Sequence, residues 1–256
     1  MAVSEEKELQ QLQRRLQDLA KRSYDQNLFT FTGFLSLSEQ DLFWREEKEL
    51  RYAGFKLWGG DEESERKVLR FGSETDLGYE EPFAVTCIHI APLQEKFADD
   101  FSHRDFLGAL MNLGIERSTI GDIRVGKKEA YLFCLESIAP FICEQLEQVK
   151  HTRVKCSVVE KMEELPQEEP ECVTVQVASE RVDAVIAKVY NKSRGEVQEL
   201  FRAGKVYLGG RLCENPSRIL KDQERITVRG FGKFIFDGVR GETRKGKLSV
   251  MVRVYR

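Results

Sequence analysis

The chain has 256 residues, 41% apolar and 32% charged, which is enough for two or three domains with their own cores and excludes a disordered chain. No apolar run approaches the roughly 20 residues that span a bilayer, and Met1 to Arg15 is charged and amphipathic rather than signal-like, so a cytoplasmic protein without membrane insertion is expected. The net charge of −3 conceals two opposed parts: residues 173–256 hold 18 Lys+Arg against 9 Asp+Glu, a net +9, while the preceding residues hold 22 against 34, a net −12. A basic region of that density predicts a polyanionic partner, because each neutralised phosphate releases condensed counterions, and the acidic part predicts that contact stays local.

In chain order, Leu9, Leu12, Leu16 and Leu19 recur at spacings of three and four and predict a first helix, with Ser4 as its cap. A second helix is expected from Ser38 to Arg51, capped by Ser38, with Leu42, Phe43 and Leu50 on its apolar side, and Gly59-Gly60 marks a turn. The stretch 59–67 superficially resembles a phosphate loop but is acidic and lacks Gly-Lys-Ser/Thr. These elements form an expected N-terminal α/β unit, residues 1–80.

Residues 81–160 follow a βαββαβ order: a strand at 83–90, a helix at 103–113, two strands joined around Gly126-Lys127-Lys128, a helix at 137–149 and a strand at 153–159. That order suggests a ferredoxin-like domain, a fold shared by many RNA-recognition modules, although Lys128 to Phe133 is only a distant echo of their base-stacking strand. His103, Arg104 and Asp105 invite a catalytic interpretation, but Ser102 as N-cap and Asp105 in the first turn account for them more simply. His89 and His151 stand alone, and neither a nucleophile elbow nor a His-x-x-x-His pair is present, so neither an enzyme nor a cofactor or metal is expected. The six cysteines contain no C-x-x-C pair and read as buried free thiols.

An acidic, proline-containing linker at 161–172 leads to a basic domain at 173–256. A helix from Ser179 to Val189 buries Val182, Val185, Ile186 and Val189 and places Arg181 and Lys188 along another edge. Ser193 and Glu196 fit a capping box opening a helix with Val197, Leu200 and Phe201 inside and Arg194, Gln198 and Arg202 outside. A hairpin at Lys205 to Arg211, turning at Gly209-Gly210, and a strand at Ile226-Thr227-Val228 complete two basic helices on a small sheet. Beyond it, Arg229, Lys233, Arg240, Arg244, Lys245 and Lys247 alternate with five glycines in an expected basic loop, followed by a half-buried strand carrying Leu248, Val250, Val252 and Val254.

Arg181-Val182-Asp183, Ser193-Arg194, residues 204–210 and residues 222–229 together resemble the RNA-binding domain named after ribosomal protein S-four, over about 60 residues. Gly209 stands where Asn is usual before the turn glycine, and Gln223-Glu224 blurs the usual Gly-Asp pattern. The resemblance places Arg181, Ser193 and Arg194 near RNA backbone, with Asp183 orienting Arg181; Lys188, Lys192, Arg202, Lys205, Arg211, Arg229, Lys233, Arg244, Lys245 and Lys247 extend the expected RNA-binding set. With His103 to Gly108, Gly121-Asp122-Ile123, the segment from Gly59 to Lys67, and the basic stretches 229–234 and 243–247, the chain as a whole is similar to the bacterial YlmH family. That similarity implies binding to ribosomal RNA and tRNA on large subunits that hold obstructed peptidyl-tRNA, in ribosome-associated quality control, with a quality-control factor or a division protein as further partners. The alternatives are a cell-division scaffold carrying an RNA-binding module and, behind it, an RNA-modifying enzyme.

Overall fold

The computed structural model describes residues 2–160 and 170–255. The chain divides into two compact units, Met1–Leu165 and Pro166–Arg256. Most of the acidic linker falls outside the described residues, and Glu171 and Cys172 already belong to the first strand of the second unit.

The first unit opens with α1 (Ala2–Gln26), β1 (Thr30–Leu35), α2 (Leu37–Leu50), β2 (Phe55–Trp58), β3 (Lys67–Phe71) and a single turn, α3 (Glu74–Leu77). Its three strands form an antiparallel sheet in the order β1-β3-β2. The helical stripe of α1 buries Leu16 and Ala20 against Phe43, Leu50, Leu69 and Phe71, while Leu9 stays exposed. α1 already runs from Ala2, so Ser4 lies within it rather than ahead of it. α2 is capped by Ser36, not Ser38: the Glu39 N–H donates to the Ser36 hydroxyl at 3.4 Å, and the Glu39 carboxylate accepts from the Ser36 N–H at 2.6 Å. Ser38 has Asp41 three residues on, but that carboxylate pairs with Arg45 at 2.8 Å, so the reciprocal box closes at Ser36 and Glu39.

The unit continues with β4 (Val85–Pro92), α4 (His103–Asn112), β5 (Ile120–Val125), β6 (Ala130–Leu135), α5 (Ala139–Gln145), β7 (Gln148–Val149) and β8 (Thr152–Val158). The sheet order β5-β6-β4-β8-β7 is the ferredoxin-like arrangement with one added edge strand. α5 is shorter than expected. Residues 146–149 include good helix formers, but Val149 turns back through Lys150 at φ 52° and pairs with Thr152, which buries it completely. α4 and α5 cover one sheet face, burying Ile88, Ile90 and Leu132 against Phe106, Leu110 and Ile142.

The opposite face is also covered. Val85, Cys87 and Phe133 pack against Phe34 and Val68 of the preceding sheet in one buried cluster. Polar contacts fix this joint. The Asp122 carboxylate accepts from the backbone N–H groups of Glu65 and Arg66 at 2.6 and 3.1 Å, and the Arg66 guanidinium donates to the carbonyls of Phe34, Arg117 and Ile120 at 2.8 to 3.1 Å. Arg124 pairs with Asp61 and lies 5.3 Å over the Phe133 ring. Gly60 is required here: its φ is 109°, and a Cβ there would collide with that ring.

The second unit comprises β9 (Glu171–Val177), α6 (Val182–Val189), α7 (Arg194–Arg202), β10 (Val206–Leu208), β11 (Arg211–Leu212), β12 (Glu224–Val228), β13 (Gly232–Glu242) and β14 (Leu248–Tyr255). Its antiparallel sheet runs β11-β10-β12-β13-β14-β9. Val182, Val185, Ile186, Val197, Leu200 and Phe201 from the helices meet Ile226, Val228, Phe234, Phe236, Val250 and Val252 from the sheet. α6 starts at Val182 rather than Ser179, leaving Arg181 at its N-cap in extended conformation. The expected glycine-rich loop is mostly strand: β13 pairs with β12 at one end and with β14 along its length, so turns remain only at 229–231 and 243–247.

All six cysteines are free; Cys87, Cys134 and Cys213 are buried, but Cys172 is exposed on β9, an edge strand. Burial pushes the thiols of Cys87, Cys134 and Cys156 up to about 12, which keeps them unreactive. Both tryptophans, Trp44 and Trp58, lie in the first unit, so their fluorescence isolates its unfolding. Replacing Asp122 with Ala is expected to lower that unit's stability by about 2–3 kcal/mol, read as an earlier urea midpoint, because two backbone donors lose a charged acceptor.

Candidate nucleic-acid interface

The corner between α6 and α7 gathers the strongest cluster of expected RNA contacts. β9 delivers the chain to Arg181, which bridges Ile219 across the domain before α6 begins. The Arg181 guanidinium then donates twice to Asp183, Nε to Oδ1 at 3.0 Å and Nη2 to Oδ2 at 2.7 Å. Asp183 is 7% exposed, whereas the guanidinium remains partly in solvent, so a buried carboxylate fixes the direction of a half-exposed cation. The carboxylate also raises the arginine's pKa, first by its hydrogen bonds and then by its charge.

Arg181, Lys188 and Arg194 ring a groove of about 350 Å³ whose floor is Val177, Ala184, Ala187 and Val197. Lys188 and Arg194 have no ion-pair partner among the described residues. Ser193 is committed to the helix: its hydroxyl accepts from the Glu196 N–H at 3.3 Å, and its N–H donates to the Glu196 carboxylate at 2.8 Å. The Ser193 N–H, then its hydroxyl and the Lys192 ammonium, hold Glu196 down to about 2. A carboxyl lowered from its usual 4.5 supports the helix start above that value and gives up the support only as pH falls toward 2, so the cap is intact at neutral pH.

The other expected residues do not form one continuous patch. Lys192, beside Glu196 at 3.1 Å, lies on the same corner, and Phe231 of the β12–β13 turn packs beneath it. Arg229 lies 5.7 Å over Tyr207 and Lys233 4.9 Å over Tyr255, so both have aromatic supports. Arg211 is on the short edge strand β11 and Lys205 precedes β10, both exposed. Arg202 is at the far end of α7 and paired with Glu199. Arg244, Lys245 and Lys247 are exposed at the tip of the β13–β14 hairpin, about 30 Å along the strand from Lys233 at the usual rise per residue. Counting charge could not separate these locations. It also passed over the apolar groove floor and Phe231, for which an aromatic set between two glycines in a basic segment was the available signal.

In the first unit, the outer face that binds RNA in recognition modules of this topology is occupied by the residue 30–71 sheet, and Tyr131 stacks on His89 at 4.7 Å. His89, isolated in sequence, is paired in space with Glu129 at 2.7 Å. Asp105 accepts from both the N–H and the hydroxyl of Ser102 at 2.7 Å and lies 3.2 Å from the Lys150 ammonium, so the His103-Arg104-Asp105 grouping is a helix start. Among the described residues no helix is long and apolar enough to cross a membrane.

Residues 79–163 match the family described as "Putative RNA-binding domain in YlmH", and residues 180–226 match the S4 domain. The curated "Ribosome-associated protein quality control protein P2" of Bacillus subtilis (strain 168) is 29% identical over 201 residues, covering 77% of this chain and 76% of the relative. A solved structure, "Cell division protein ylmH from Streptococcus pneumoniae", is similar with a TM-score of 0.48 at 19% identity, covering 62% of this chain and 95% of that one.

The pair at the mouth of α6 predicts an asymmetry. Asp183→Ala is expected to cost about 2 kcal/mol, seen as a lower melting temperature by calorimetry. Arg194→Ala, at an exposed and unpaired position, is expected to leave the melting temperature unchanged.

Proposed function

We propose that this chain, in which a YlmH RNA-binding domain precedes an S4 domain, binds structured RNA of the large ribosomal subunit and peptidyl-tRNA in ribosome-associated quality control, through phosphate and shape contacts and without chemistry of its own. The observation that carries this reading is the α6–α7 groove, where three cations surround an apolar floor and two of them have no protein counter-ion among the described residues. Unpaired cations at fixed spacing suit phosphates, whose release of counterions supplies the binding free energy. The name of the Bacillus subtilis relative supports the ribosomal setting.

The acidic composition of residues 1–172 limits the footprint, since a net −12 opposes any phosphate brought near it. On this account the first unit is a scaffold and the basic one the RNA contact. The surfaces of Lys205, Arg211 and Arg229, and the separate hairpin tip with Arg244, Lys245 and Lys247, supply secondary contacts.

Co-sedimentation with large subunits, with and without bound peptidyl-tRNA, across a salt series tests the proposal. Preferential binding to the tRNA-bearing subunits is expected, with log affinity falling against log salt at a slope of about −3 or steeper, as about four neutralised phosphates require. Arg194→Ala is expected to reduce that slope by about one. Salt-insensitive binding, or equal binding by the variant, overturns the assignment of this groove.

A further inference from the structure

Phe231 stands apart from the other phenylalanines of its hairpin. Phe234 and Phe236 are 0% and 1% exposed in the core, whereas Phe231 is 38% exposed and lies outside that cluster. The turn holding it closes through its own N–H to the Val228 carbonyl at 2.9 Å, and glycines with φ of 88° and 110° flank it, so no neighbouring side chain along the chain shields the ring. One side of the ring rests on Tyr190, centroids 5.7 Å apart and planes inclined by 50°, and the Lys192 ammonium lies 5.1 Å over the ring. Two residues past Lys192 comes Arg194, exposed and unpaired among the described residues, at the rim of the groove.

An exposed aromatic ring backed by a second ring, with a cation on a flexible stem over it, holds an unpaired base when the cation moves to phosphate: the ring takes the base face without regard to sequence, and the cations take the phosphate. Duplex RNA offers no base face to such a ring, because its bases are stacked within the helix. We infer that Phe231 is a stacking residue for an unpaired base of the bound RNA, with Lys192 and Arg194 receiving that nucleotide's phosphate. The inference rests on the RNA-binding reading and adds to it a class of RNA, one with an accessible single-stranded or bulged base beside a helix. The Lys192 stem is flexible, so its ammonium can leave both the Phe231 ring and Glu196 for phosphate, uncovering the ring while it stays on Tyr190.

The full-length protein, titrated with an RNA stem–loop carrying a fluorescent adenine analogue in the loop and with the same stem as a blunt duplex, tests it. Wild type is expected to bind the stem–loop more tightly and to quench the fluorophore. Phe231→Ala is expected to weaken stem–loop binding about tenfold, abolish the quench, leave duplex binding and the salt slope unchanged, and keep the circular dichroism of wild type. Phe231→Trp is expected to retain quench and affinity, which a purely packing role does not require. If Phe231→Ala binds and quenches as wild type does, the stacking inference fails while RNA binding stands. If it loses stem–loop and duplex binding equally, Phe231 serves the fold and not a base. If wild type binds neither RNA in a salt-dependent way, both readings fail together.

Discussion

The carboxylate of Asp122, accepting from two backbone donors of the 59–67 segment while Arg66 reaches three carbonyls, decides how the first unit can be used. These bonds satisfy groups that would otherwise be buried without partners, and they hold one sheet against the open face of another. A ferredoxin-like domain with that face free can present aromatic residues to bases. Here the place is taken by Phe34 and Val68, packed on Phe133 and Cys87. Topology shared with RNA-recognition modules therefore does not bring their mode of binding with it.

The same economy of charge orders the second unit. Its core is a conventional stack of two short helices on a sheet, and its surface holds the excess of cations. Excess charge alone gives loose attraction; direction comes from a few neutral or anionic supports. Asp183 aims Arg181, Glu196 fixes the start of α7, and Tyr207 and Tyr255 sit under Arg229 and Lys233. The cations themselves keep access to solvent, and the one buried anion among the supports, Asp183, is satisfied by two hydrogen bonds from Arg181. The result is a set of cations with restricted geometry rather than a diffuse basic tail, and A-form RNA, recognised by the placement of its phosphates, suits such a set.

Much of this was legible in the sequence, and the failures have identifiable causes. The βαββαβ order, the α4 capping and the Ser193–Glu196 box were readable because each depends on local spacing. α5 ends sooner than propensity predicts, which favours helix through Glu147, because burial of Val149 in the β7–β8 hairpin is a gain that propensity does not register. The α2 cap falls on Ser36 rather than Ser38, two serines of equal propensity, because the Glu39 side chain reaches back to Ser36. The glycines of 230–246 predict a loop, but they fall in the two turns (Gly230, Gly246), at the first residue of β13 (Gly232) and along its stretch of shifted register (Gly238, Gly241), so the strand between them persists. The Gly59–Lys67 and Gly121–Ile123 segments carried the family resemblance without showing their use, because a joint between two sheets leaves no periodic mark in either segment. The cationic set was legible as composition; its division between the α6–α7 corner and the distant hairpin tip was not.

Ultraviolet crosslinking of the protein bound to large ribosomal subunits, with the crosslinked peptides identified by mass spectrometry, tests the central claim most directly. The account predicts RNA adducts concentrated between residues 181 and 247, strongest at the α6–α7 corner, and none on the sheet strands 85–92 and 130–135. Adducts centred on those strands, with the corner unmodified, would contradict it.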